Sequence, residues 1–228
     1  MFFLSFAKDA VMRIYLLAFF AFILPACKLM PKKDEKTEKK ENKTMLNRFT
    51  PVEWAHHTNI YEVNVRQYTV EGTINAFAKE LPRLKEMGVQ TLWFMPLTPI
   101  AEKNRKGSLG SYYACSDYTS INPEFGTLDD FKSLVKKAHE MGMKVIVDWV
   151  ANHTGWDHKW TKEHPEYYLK DSATNDFKIA SGMDDIIELD FKNPALRKAM
   201  KDAMKFWVEE CDIDGLRADL AFWVELDF

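Results

Sequence analysis

The spacing of apolar residues changes period several times along the chain, and each change marks a predicted element. Residues 59–69, NIYEVNVRQYT, are β-rich and partly alternating, which predicts a first strand. In TINAFAKELPRLKEMG, Ile74, Phe77, Leu81 and Leu84 recur three or four apart, a helical face closed by Gly88. Pro82 inside that run predicts a kink or a shortened helix, because proline removes an N–H donor and crowds the preceding turn. Residues 89–96, VQTLWFMP, form a nearly continuous apolar run, as in a strand covered on both faces. TLDDFKSLVKKAHEMG opens with Thr127 and Asp130 in capping-box spacing and carries Phe131, Leu134, Val135 and Ala138 on one face. MKVIVDWV predicts a third strand. A long excursion follows, from 152 to about 191. NPALRKAMKDAMKFWVEE then starts with Asn193 as cap and Pro194 in the first turn, with Leu196, Met200, Ala203 and Trp207 facing inward. DIDGLRAD predicts a fourth strand.

Strands that alternate with helices imply βα units and a parallel sheet. The predicted fold class is α/β: a partial (β/α)8 TIM barrel holding the first four strands, with a small inserted domain after strand three, at about 154–191. In such a barrel, function sits at the C-terminal strand ends. A doubly wound open sheet is the alternative. It calls for a glycine-rich phosphate loop after strand one, and VRQYTVEGT offers none.

Composition and charge narrow the picture. The chain has 228 residues, 46% hydrophobic and 14% aromatic, which excludes disorder for most of its length. The net charge of −3 hides an acidic body and a basic leader. An acidic body has no electrostatic footprint for nucleic acid. Three cysteines are too few for a disulfide scaffold, and Cys115 and Cys211 are expected as free thiols. RIYLLAFFAFILPAC has the layout of a secretory signal, too short to span a bilayer as a helix. Its LPAC end resembles the bacterial lipoprotein box, in which the cysteine is lipidated. The reading is a signal peptide at 1–26, lipidation at Cys27, and a charged, solvated linker at 27–48. A catalytic body at 49–228 would then be exported and lipid-anchored to a bacterial membrane, periplasmic or at the cell surface.

The candidate chemistry lies at the ends of strands three and four. VIVDWVANHTG places Asp148, Asn152 and His153 directly after a buried strand, where a carboxylate is costly unless it is paired or used. GLRAD places Arg217 and Asp219 two apart, hence on one face of a strand. The cation favours an ionised Asp219. Taken alone, this pair reads equally as a structural ion pair or as a held nucleophile.

The combination is more specific. DWVANHT and GLRAD resemble two signature regions of the α-amylase family, glycoside hydrolase family 13, and GSYYACSDYTSINPEFGTLDDF resembles the family's region after strand two. The resemblance runs from about residue 59 to residue 228. It implies that Asp219 is the nucleophile of a retaining mechanism and that Arg217 holds it ionised. It implies that Asp148 and His153 line the sugar subsite beside the scissile bond and that Tyr113 stacks on that sugar. The implied partner is an α-glucan, oligomeric or polymeric. Asn152 matches a position that binds structural Ca2+ in many members and reads equally as a polar turn residue, so calcium stays open as a cofactor. The aromatics of the insertion, Trp156, Trp160, Tyr167 and Tyr168, suit either a sugar groove or a small local core.

Two departures stand out. Phe222 and Trp223 occupy positions where many amylases carry Lys-His after the nucleophile. The family's general acid is a Glu on strand five, and after Asp219 this sequence offers only Glu225 and Asp227 as carboxylates. Retaining hydrolysis needs two carboxyl groups about 5–5.5 Å apart. The expectation is therefore the front half of a glucan hydrolase, inactive and marginally stable alone. The alternative is a non-catalytic glucan-binding surface lipoprotein.

Overall fold

The computed structural model describes residues 50–228. The predicted signal, Cys27 and the charged linker lie outside the described residues. Residues 50–56 belong to a unit separate from 57–228 and contain a short 3-10 turn, Glu53–His56.

The larger unit begins with β1 (Ile60–Val63), shorter than the predicted 59–69. After Asn64 the backbone coils into a single helical turn, α1 (Val65–Tyr68). Tertiary contacts override β-propensity here. Val65 is buried, the Tyr112 hydroxyl donates to Asn64 Oδ1 at 3.1 Å, and Arg66 lies over the Tyr112 ring while pairing with Glu124 at 2.6 Å. The next helical run divides into α2 (Ile74–Phe77), a 3-10 turn (Ala78–Glu80) and α3 (Leu81–Glu86). Pro82 sits in the first turn of α3, where its missing N–H costs nothing, so it resets the helix instead of bending it. Ile74, Phe77, Leu81 and Leu84 are all fully buried, as their spacing requires.

β2 (Thr91–Phe94), α4 (Leu128–Glu140) and β3 (Lys144–Val150) follow. The capping box forms: Asp130 N donates to Thr127 Oγ1 at 3.1 Å, and Thr127 N donates to Asp130 Oδ2 at 2.8 Å. The excursion folds as β4 (His153–Gly155), α5 (Trp160–Glu163), β5 (Ile179–Ala180) and β6 (Met183–Glu188). α6 (Pro194–Cys211) is capped by Asn193 Oδ1, which accepts from Ala195 N at 2.9 Å, and it leads to β7 (Gly215–Asp219).

The main sheet has the order β1-β2-β3-β7, every pair parallel, and it does not close on itself among the described residues. Its two faces differ. Val63, Leu92, Phe94, Val145, Val147 and Trp149 are buried in the hydrophobic core. Edge-to-face rings run through that core, Phe77 to Phe94 at 5.3 Å, Phe94 to Phe131 at 5.7 Å and Phe131 to Trp207 at 5.8 Å, tying α2, β2, α4 and α6 together. Residues of opposite parity, among them Trp93, Ile146, Asp148, Arg217 and Asp219, share the other face.

The insertion is a three-stranded antiparallel sheet of order β4-β6-β5. Trp156, Trp160, Tyr167 and Tyr168 are buried, with Trp156 Nε1 donating to Asp184 O at 2.8 Å and Trp160 packed edge-on against Tyr167 at 5.5 Å. Between groove and local core, these four rings form a local core. At its root the insertion fits tightly. A Cβ on Gly155 would fall 2.0 Å from Ala101 Cβ and 3.2 Å from Ala114 O. Cys115 and Cys211 are free and buried, as the cysteine count suggested.

Candidate active site at the strand ends

Register brings the candidate residues together. In the β3–β7 ladder, Asp148 lies opposite Arg217 and Val150 opposite Asp219. Two carboxylates thus flank one guanidinium across adjacent strands. Arg217 Nη1 donates to Asp148 Oδ1 at 2.9 Å and to Asp219 Oδ1 at 2.7 Å. The Tyr113 hydroxyl, from the loop after β2, donates to Asp148 Oδ2 at 3.1 Å. Both oxygens of Asp148 are therefore held.

Burial grades the three charges. The side chain of Asp148 is 0% exposed, that of Asp219 15% and that of Arg217 37%. Burial pushes the Asp148 carboxyl above its ordinary value; Arg217 and Tyr113 oppose it, and burial prevails. Burial, followed by the Asp148 charge, raises the Tyr113 phenol well above its usual value, so it stays a neutral donor. The carboxylates, Asp148 first, raise the Arg217 guanidinium further still.

His153 opens β4 and is 1% exposed. Burial depresses its pKa to about 4, against the pull of Asp219, so the ring is neutral near pH 7. Its Nδ1 lies 3.4 Å from Asn152 Nδ2, and its buried Nε2 has no protein partner. A buried ring nitrogen left open within the influence of Asp219 is suited to a ligand hydroxyl. The bend between β3 and β4 is fixed by the Tyr118 hydroxyl, 2.7 Å from Val150 O and 3.0 Å from His153 O, while Tyr118 O accepts from Trp207 Nε1 at 2.7 Å.

One neighbour escaped the sequence reading. The Arg217 guanidinium carbon lies 4.9 Å from the centre of the Trp93 ring, a cation–π contact beneath the clamp. Its only signal was parity: Trp93 belongs to the open face of β2, opposite Ile146. Of the late carboxylates, Asp227 is taken up by Arg197, which meets it twice at 2.9 Å. Phe222 and Trp223 stand on a 3-10 turn, Ala221–Trp223, entered through Leu220 at φ +45°, with Phe222 largely exposed.

Comparison with known proteins identifies the family. The alpha-amylase catalytic-domain family matches residues 30–183 and 166–226. The chain belongs to the alpha-amylase family. Alpha-amylase 3 of Dictyoglomus thermophilum is 30% identical over 193 residues, 74% of this chain and 37% of that protein. Trehalose synthase/amylase TreS of Mycolicibacterium smegmatis is 30% identical over 211 residues, 75% of this chain and 34% of that protein. Among solved structures, an alpha-amylase from Lactobacillus plantarum superposes with a TM-score of 0.72 at 43% identity, over 75% of this chain and 40% of that one. The chain thus spans between about a fifth and little more than a third of the length of curated relatives it matches. Its open parallel sheet is a partial alpha-amylase TIM barrel.

The calcium left open by the resemblance is tested by the surroundings of Asn152. That residue lines a cavity of about 430 Å³ with Lys178, Ile179, Ser181, Gly182, Glu188 and Trp223. Calcium takes about six to eight oxygen ligands. Here a half-exposed lysine is among the lining residues, and Lys178 Nζ already bonds Glu188 Oε2 at 2.7 Å. No cluster of three acidic, histidine or cysteine side chains suited to a metal occurs among the described residues. The residues around Asn152 do not fit calcium.

Proposed function

We propose that the protein is an α-glucan-active retaining glycoside hydrolase with Asp219 as nucleophile. The observation that carries this reading is the single Arg217 nitrogen bridging Asp148 and Asp219 at the ends of neighbouring strands. Asp219 keeps one oxygen free of the clamp and is the more exposed carboxylate, as an attacking group must be. In the proposed first step, that oxygen bonds to the anomeric carbon while the glycosidic C–O bond breaks. The leaving oxygen takes a proton from a general acid. Water then hydrolyses the glycosyl ester and restores Asp219. Asp148, with both oxygens held, positions the sugar, and neutral His153 offers Nε2 to a hydroxyl. Tyr113 stands at the cleft as the stacking ring.

For residues 57–228 by themselves, we infer glucan binding without cleavage. Asp148 is committed to Arg217 and Tyr113, and Asp227 to Arg197, so neither of these two is free to act as the acid. Attachment to a membrane through a lipid on Cys27 completes the proposal, supported by the LPAC box. A Cys27→Ala variant should leave the membrane fraction; retention there refutes the anchor.

In the full-length protein, Asp219→Asn is expected to lower maltooligosaccharide hydrolysis on the order of 10³-fold or more, with oligosaccharide Kd nearly unchanged. Hydrolysis at the parent rate removes Asp219 from the nucleophile role.

A further inference from the structure

The cavity beside Asn152 lies where β4–β6 of the insertion meet the turn that follows β7. Its lining includes a carboxylate, Glu188, an amide, Asn152, and the backbone of the 181–182 turn. Oxygen-rich linings of this kind attract a cation. This chain brings its own. Lys178 and Glu188 are cross-strand neighbours, joined by a backbone bond from Glu188 N to Lys178 O at 2.9 Å and by the side-chain pair at 2.7 Å. Lys178 N also donates to Leu169 O, and Leu169 N to Glu188 O, which fixes both residues to one backbone frame. The lysine is therefore delivered to the cavity by the sheet itself, not by a mobile tail. Glu188 in turn faces His153 across the β4–β6 ladder, so the charge at this cavity borders the cleft.

We propose that the Lys178 ammonium is the built-in cation of this cavity, occupying the electrostatic role of a divalent metal, so that the insertion is seated without calcium. An ammonium 2.7 Å from the cavity's carboxylate neutralises it, and it would repel a second cation placed in the same space. Without the ammonium, Glu188, Asn152 and nearby carbonyls become a sparse oxygen site. Such a site binds calcium weakly, with a Kd of roughly millimolar order. The proposal is independent of the glycosidase reading, since it concerns the seating of the insertion and not turnover.

The test is thermal melting of the full chain with calcium at about 5 mM, with a chelator, and with neither. The parent protein is expected to melt within about 1 °C in all three. A saturable rise on adding calcium, or a fall of more than about 3 °C with chelator, overturns the proposal. Lys178→Met is expected to melt about 2–4 °C lower and to regain part of that loss in calcium. Lys178→Arg keeps the charge and is expected to stay indifferent to calcium. Lys178→Met/Glu188→Gln removes the carboxylate and is expected to lose the calcium response again. A Lys178→Met protein that melts like the parent and ignores calcium also overturns it. Should Lys178→Met fail to fold, the parent and Lys178→Arg arms still decide.

Discussion

β3 and β7 are adjacent parallel strands, and each carries a carboxylate of the Arg217 clamp near its C-terminal end, yet they sit in different environments. From Val147 to Val150, β3 is buried at every position, whereas β7 has no buried residue and exposes Ala218. β3 is paired on both sides; β7 is an edge among the described residues. Asp148 inherits the enclosure of its strand and is held at both oxygens, while Asp219 inherits the openness of its own and is held at one. The same residue type thus becomes a fixed fitting on one strand and an available group on the next. The environment of the strand, more than the side chain, sets the role.

The largest effect that tests this contrast comes from Arg217→Met. It strands the fully enclosed Asp148 with only the Tyr113 hydroxyl. Breaking a buried pair costs about 3–5 kcal/mol. The partly exposed guanidinium lowers that to roughly 2–3 kcal/mol, or about 5–10 °C in Tm for a chain of this size. Asp219→Asn leaves the Arg217–Asp148 pair intact and should cost less than about 1 kcal/mol. Denaturation of the two variants side by side checks the ranking, and equal losses would erase the distinction between the strands.

A separate effect is read from acid. His153 at the start of β4 and His158 beyond it have pKa values depressed by burial to about 4 and about 3. Both lie below the free-imidazole value of about 6.5, so the unfolded chain binds their protons first. Their contribution is complete above about pH 6.5 and is lost as pH falls toward the folded values. Between pH 6.5 and 4.5, each imidazole removes up to about 1.4 kcal/mol per unit. A Tm that stays flat over that window would show that neither ring is enclosed as described.

Much of this contrast could be read in advance, because it rests on local patterns. Apolar spacing located the helices, and Thr127, Asn193 and Pro194 marked helix starts that the structure keeps. Arg217 and Asp219 fall on one face through the two-residue period of a strand, and the family motifs supplied their companions. What escaped depends on pairing between distant segments. The turn after Asn64 is imposed by Tyr112, forty-eight residues on. The strands of the insertion are two to six residues long, too short for periodicity to register. Trp93 under Arg217 and Lys178 beside Glu188 are meetings that no spacing rule encodes.

The root and the tip of the insertion differ in what they tolerate. At the root, Gly155 admits no side chain without displacing Ala101 or the backbone at Ala114. Near the tip, residues 171–176 are exposed and held by local turns around Asp171. Loop-closure entropy grows slowly with added length, so extra residues at the tip cost little. The insertion therefore behaves as an exchangeable cassette on a keyed mount: its outer contour can be rewritten freely, provided the glycine that locks it to the barrel rim is kept.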